Sequence, residues 1–181
     1  MFFRQCAPRQ HVRRRVSPAA RPCLEQLETR SDPDRNPLRW ELATAYLGLV
    51  PSDQDPAIPA DTRWFPVDEL PQMAFDHGPI VLAGRERLRG KLSYTNIGFA
   101  LAPPRFTISE LRVLYRAALG HDVSATNLQR VLVRRHLLVP TGTRRESGPS
   151  GGRPAALYGF RSRALAITDQ FAVLRPPTAS I

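Results

Sequence analysis

The sequence predicts an α+β protein in which strands come first and helices second. Three observations carry that reading. Short β-forming runs separated by proline and aspartate clusters lie before residue 72, and a 3.6-residue apolar period sets in after Pro79. Two further apolar runs then flank a Gly/Ser/Pro-rich tip near the C-terminus. Of 181 residues, 42% are hydrophobic and 23% charged, enough of each for a packed core and a solvated surface, which excludes a wholly disordered chain. No run approaches the roughly 18 consecutive apolar residues of a membrane span, so a soluble protein with no membrane partner is expected.

Residues 1–22 are Arg-rich, free of acids and without an apolar period, and are expected to be a disordered basic tail. A basic arm on phosphates and an aberrant N-terminus are the alternatives. From Leu24, LEQLETRSDPDRN is acidic and ends in turn formers, while Arg39 to Val50 reads as a strand stopped by Pro51. Residues 51–62 hold three prolines and three aspartates and form a loop, followed by a short strand at Trp64-Phe65 and a turn through PVDELP. Residues 23–76 therefore form one small unit.

The helical part is expected over residues 77–161, with 162–181 an extension. In Ile80 to Tyr94, Val81, Leu88 and Leu92 share a stripe. Thr107-Ile-Ser-Glu110 is a capping-box pattern that opens a second helix, and Gly120 supplies its left-handed end. After a short turn, Ser124 can cap a third helix running to about Arg135. At about 100° per residue from Thr126, Arg130, Arg134 and Asn127 lie within about 100° of one another, and Leu128 and Leu132 fall opposite. Arg135 lands on the apolar side, so fraying or a snorkelling stem is expected there. Leu137 to Pro140 and Ala155 to Phe160 read as two strands around a tip, residues 141–154, that carries Arg144, Arg145 and Arg153. Helix, helix, turn, helix and a basic-tipped hairpin is the order of a winged helix-turn-helix.

Charge is uneven along the chain. Residues 1–23 carry six arginines and no acid, residues 24–78 four arginines against eleven acids, and residues 79–181 sixteen basic groups against five acids, for a net charge of +10. A basic C-terminal part points to a polyanion. GC-rich codon usage is the plain alternative, because Lys91 is the only lysine. The arrangement of the arginines decides for duplex DNA: Thr126, Asn127, Arg130 and Arg134 form a front able to donate to base edges and phosphates. Arg144, Arg145 and Arg153 suit electrostatic backbone or minor-groove contact, and Thr107 and Arg134 are weaker phosphate candidates.

Catalytic and metal constellations are not found. Cys6 and Cys23 have no partner at ligand spacing, and the four histidines are scattered. No P-loop, no G-x-S-x-G and no R-E-x-x-E-E core of a Nudix box occurs. No cofactor or metal is implied. Asp76-His77 could form an acid/base pair, but a cap for the following helix is the favoured reading.

Taken together, CLEQLET (23–29), DPDRNP (32–37), TAYLGLVP (44–51), WFPVDELP (64–71), AFDHGPIVLAGRERLRGKL (74–92), FTISELRVLYRAALG (106–120), TNLQRVLV (126–133) and GRPAALYGF (152–160) resemble, in order, the Nudix-related transcriptional regulators of the NrtR type. The resemblance implies a Nudix-like α/β segment that senses ADP-ribose or a related nucleotide. It also implies a winged helix on operator DNA, acting as a homodimer on genes of NAD and sugar metabolism. This chain departs from that pattern, because only 22 unrelated Arg-rich residues precede Cys23 and the box is missing. The Nudix-like domain is therefore expected to be incomplete and not to hydrolyse an effector. ADP-ribose is expected to bind weakly or not at all, with Trp64 the aromatic available for stacking. A frameshift, a misplaced start and a truncated regulator would each give such a prefix. The competing functional class is a Nudix pyrophosphatase, as a fragment or frameshifted form carrying a winged helix, and a third is a non-specific RNA-binding protein.

Overall fold

The computed structural model describes residues 2–5, 23–55, 63–146 and 154–170. The chain divides into two compact units, residues 1–50 with 54–87, and residues 51–53 with 88–181. The division falls inside a helix, later than the break expected after residue 76.

In the first unit, strands β2 (Cys23–Arg30) and β3 (Ala43–Leu49) form an antiparallel pair with an irregularity between Gln26 and Glu28. Strand β3 lies inside the run expected to be extended. Strand β2 was not expected, because its polar letters hide its period: burial alternates along it, and Glu25 and Leu27 share the covered side. Glu25 is tolerated there because Arg87 donates to its carboxylate at 2.9 Å and to the Leu27 carbonyl at 3.1 Å. Strand β1 (Phe2–Gln5) pairs antiparallel with β4 (Arg63–Pro66). Phe2 and Phe3 are strong β-formers, so the expected tail begins with a strand; the rest of that tail, 6–22, lies outside the described residues.

Helix α1 (His77–Tyr94) starts three residues earlier than the apolar period suggested. Pro79 suits a first helical turn, which needs no N–H there. Within the first unit its Gly84 lies close to Leu27 and Leu47: a Cβ there would sit 3.6–3.7 Å from their methyl groups. The core of this unit is small, with Leu27, Leu49, Val67 and Val81 buried.

The second unit holds the larger core. Helix α2 (Ile108–Leu119) is capped as expected, with the Thr107 hydroxyl accepting the Glu110 N–H at 3.2 Å and the Glu110 carboxylate accepting the Thr107 N–H at 2.8 Å. It ends at Gly120, φ +75°. Helix α3 (Ala125–Arg134) is capped by Ser124, which accepts the Asn127 N–H at 3.1 Å. Phe106, Leu111, Ile97 and Leu132 are fully buried between these elements.

Strands β5 (Leu138–Arg145) and β6 (Ala155–Phe160) pair antiparallel, and Phe106 bridges to Tyr158 as a third short edge. Strand β5 runs five residues further than the expected strand. Gly142, at φ +75°, lies in the irregularity between Pro140 and Arg144 and lets pairing resume at Arg144 and Arg145. Gly98 marks another close approach, since a Cβ would fall 2.5 Å from the Tyr115 hydroxyl. Residues 162–170, expected to be an extension, are hydrogen-bonded into this unit.

Candidate nucleic-acid interface

A helix that reads bases needs a rigid back and a donor-rich front. Leu128 and Leu132 supply the back, 6% and 1% exposed. Thr126, Asn127, Arg130 and Arg134 are all exposed, as the helical angles predicted. Arg130 Nη2 donates to Asn127 Oδ1 at 2.7 Å, so two side chains suited to base edges are already aligned with each other.

Sequence periodicity does not show the bonds that hold this helix in place. Arg112 on α2 donates through Nε to the Val123 carbonyl at 2.8 Å and also pairs with the Asp122 carboxylate, which accepts the Val123 N–H at 2.9 Å. The turn between the helices is thereby fixed to α2. Arg112 holds the Asp122 carboxyl below the usual carboxylate range. On the other flank, Gln129 Nε2 donates to the Tyr158 hydroxyl at 3.0 Å and ties α3 to β6. Ten or more residues, rather than a helical interval, separate Arg112 from Asp122 and Val123, and Gln129 from Tyr158.

The wing arginines fall differently from expectation. Arg144 and Arg145 are exposed residues of β5, paired with Ala156 and Ala155, rather than parts of a loop tip. Arg145 forms an ion pair with Glu110, whose other oxygen closes the α2 cap. Arg153 lies outside the described residues. Thr107 is 7% exposed and its hydroxyl is committed to Glu110, so burial and capping remove it from a phosphate-facing surface. Arg135 neither frays nor snorkels; its guanidinium turns inward onto carbonyl oxygens.

In the first unit, Arg35 grips Asp76 with two bonds, 2.9 and 3.2 Å, while Arg30 approaches it at 3.7 Å. These contacts hold the Asp76 carboxyl below its usual range. Its backbone carbonyl, accepting the Ile80 N–H at 3.2 Å, closes the first turn of α1. Trp64 is 36% exposed on β4.

Residues 98–160 match the family model described as the NrtR DNA-binding winged helix domain. That span is therefore similar to an NrtR-type winged-helix domain. The NrtR likeness extends beyond that span. The ADPR responsive transcriptional repressor NtrR of Acinetobacter baylyi is 31% identical over 144 residues, covering 77% of this chain and 56% of that protein. The crystal structure of Shewanella oneidensis NrtR complexed with a 27mer DNA matches with a TM-score of 0.61 at 27% identity, over 76% of this chain and 64% of that one. A MutT/nudix family protein from Enterococcus faecalis shares the fold, with a TM-score of 0.57 over 77% of this chain at 22% identity. The chain thus spans little more than half of its curated NrtR-type relative. No described helix is long and apolar enough to cross a membrane.

Proposed function

We propose that this chain is a sequence-specific DNA-binding transcription regulator of the cytoplasm, reading duplex DNA through the exposed face of α3. The observation that carries this reading is the alignment of Asn127 with Arg130 on a helix whose back is buried and whose preceding turn is fixed by Arg112. Arg130 suits guanine and Asn127 adenine in the major groove, while Thr126, Arg134 and Arg144 serve phosphates. The DNA-bound relative supports the choice of partner. Two-fold operators would call for a homodimer. Selection from a randomised duplex library, followed by salt titration of the winner and of a scrambled duplex, tests the proposal. A preferred duplex is expected, with affinity for both falling steeply with salt. Equal affinity for every duplex at moderate salt would reject it.

The same reading makes the chain a binder rather than an enzyme. Hydrolysis of a pyrophosphate needs several carboxylates turned to Mg²⁺. In the first unit Glu25, Glu28, Asp68 and Asp76 instead pair with Arg87, Arg30, Arg85 and Arg35. ADP-ribose, named for the Acinetobacter relative, is expected to bind weakly or not at all and to remain uncleaved. Calorimetry with ADP-ribose, and chromatography for AMP and ribose 5-phosphate after incubation with Mg²⁺, check this, and micromolar binding or turnover would overturn it.

A further inference from the structure

Residues 162–170 follow the family-matched span, and polar contacts bind them tightly within the second unit. Asn96, 3% exposed, donates through Nδ2 to the Ala164 carbonyl at 2.8 Å and accepts the Ala166 N–H at 2.8 Å. The Thr168 and Asp169 N–H groups both donate to the Tyr94 carbonyl, at 2.8 and 3.1 Å. This strap passes the end of α1, where the last helical carbonyls have no partner within the helix.

Arg135, the residue that ends α3, reaches the same place. Its Nη1 donates to the Leu92 carbonyl at 3.0 Å and its Nη2 to the Thr95 carbonyl at 2.7 Å. Nε and Nη2 also donate to the Thr168 hydroxyl, at 3.2 and 2.6 Å. A cation at a helix C-terminus meets the negative end of the helix dipole, so the attraction supplements the hydrogen bonds. Burial pushes the Arg135 pKa down, although the guanidinium remains protonated at any physiological pH.

We infer that Arg135 and the strap 162–168 are positioning elements of the recognition helix, fixing the end of α3 against the last turn of α1 so that Asn127 and Arg130 meet bases in one register. This rests on the DNA-binding reading. The geometry sets Arg135 apart from a phosphate ligand, since its donors are already directed at carbonyl and hydroxyl oxygens of its own domain.

The test uses the full chain with Arg135→Gln and Thr168→Val. The duplex probes are the one the wild type selects from a randomised library and a scrambled one. Arg135→Gln is expected to weaken the selected duplex on the order of tenfold, and Thr168→Val by less. Affinity for the scrambled duplex and the slope of log affinity against log salt are expected to stay unchanged in both. Hydrogen exchange of free protein is expected to quicken at the amides of residues 131–137. A slope that falls by about 0.9 in Arg135→Gln would make Arg135 a phosphate contact and overturn the inference. So would unchanged affinity for the selected duplex in both variants. Thr168→Val, which keeps the shape of the side chain, carries the test if Arg135→Gln does not fold. If the wild type selects no duplex, the DNA reading fails by itself, and unchanged exchange at residues 131–137 would then independently reject the positioning role.

Discussion

The paired arginines of the first unit contrast with the exposed arginines of α3 and β5. In the first, Arg30, Arg35, Arg39, Arg85 and Arg87 each lie against a carboxylate, Glu28, Asp76, Glu41, Asp68 and Glu25 respectively. In the second, no carboxylate among the described residues pairs with Arg130, Arg134 or Arg144, and all three are exposed. The acids set this difference as much as the arginines do, with eleven in residues 24–78 against five in residues 79–181. Paired arginines neutralise acids that stabilise a small unit, whereas unpaired ones keep their charge for an outside polyanion.

The contrast would break first at Arg130. Its replacement by Ala removes a bidentate donor from the centre of the exposed face and is expected to cost roughly 1–3 kcal/mol on the selected duplex, with a smaller loss on scrambled DNA. Competition binding measures both. Equal losses would move Arg130 into the phosphate-contacting group and leave specificity unassigned.

Arg35→Ala should have the reverse profile. It leaves Asp76 without its closest partner and is expected to lower the stability of the first unit by about 2 kcal/mol, with DNA affinity unchanged. The effect depends on pH with a definite sign. The Asp76 pKa is lowered in the folded state, so the stability it contributes is complete above the unfolded carboxylate value of about 4 and disappears as pH falls through the folded one. Urea unfolding at pH 7 and in acid should therefore show a gap between wild type and variant that closes in acid. A gap that widened would mean the pair is not what Arg35 contributes.

A smaller loss is expected at Thr107. Thr107→Ala removes the α2 cap and should cost about 1 kcal/mol of stability while the salt slope of DNA binding stays the same. Thermal unfolding and the same titration check it, and a shallower slope would restore Thr107 as a phosphate contact.

These positions differ in how far apart the interacting residues lie, and that governs what the sequence reveals. The Thr107 and Glu110 cap spans three residues, and Ser124 caps an amide three residues on, so both could be read from local spacing. The exposed row on α3 follows from one helical period. Strand β2 was hidden because Glu25 occupies a covered position that Arg87, 62 residues away, helps make tolerable. The inward turn of the Arg135 guanidinium was hidden for the same reason: its partners Leu92, Thr95 and Thr168 lie 33 to 43 residues off. Periodicity puts a long basic residue on the apolar side of a helix but cannot supply the carbonyls it turns toward. Arg144 and Arg145 were assigned to a loop because residues 141–154 are rich in Gly, Ser and Pro, and the strand register shows that pairing resumes beyond Gly142.

The finest distinction lies between those two neighbours. Arg144 and Arg145 are consecutive on β5, so their side chains leave opposite faces of the ribbon. Arg145 meets Glu110, and its charge is balanced before any DNA arrives; Arg144 has no such partner among the described residues. Each counterion-releasing phosphate contact contributes about 0.9 to the slope of log affinity against log salt. Arg144→Ala should therefore flatten that slope by about 0.9 and weaken selected and scrambled duplexes alike, roughly fivefold near physiological salt. Arg145→Ala should change it less, because an exposed ion pair is worth little and removing the cation also frees Glu110 to repel phosphate. If Arg145→Ala flattened the slope as much as Arg144→Ala, the Glu110 pair would have to open on binding, and both arginines would belong to the phosphate-contacting set.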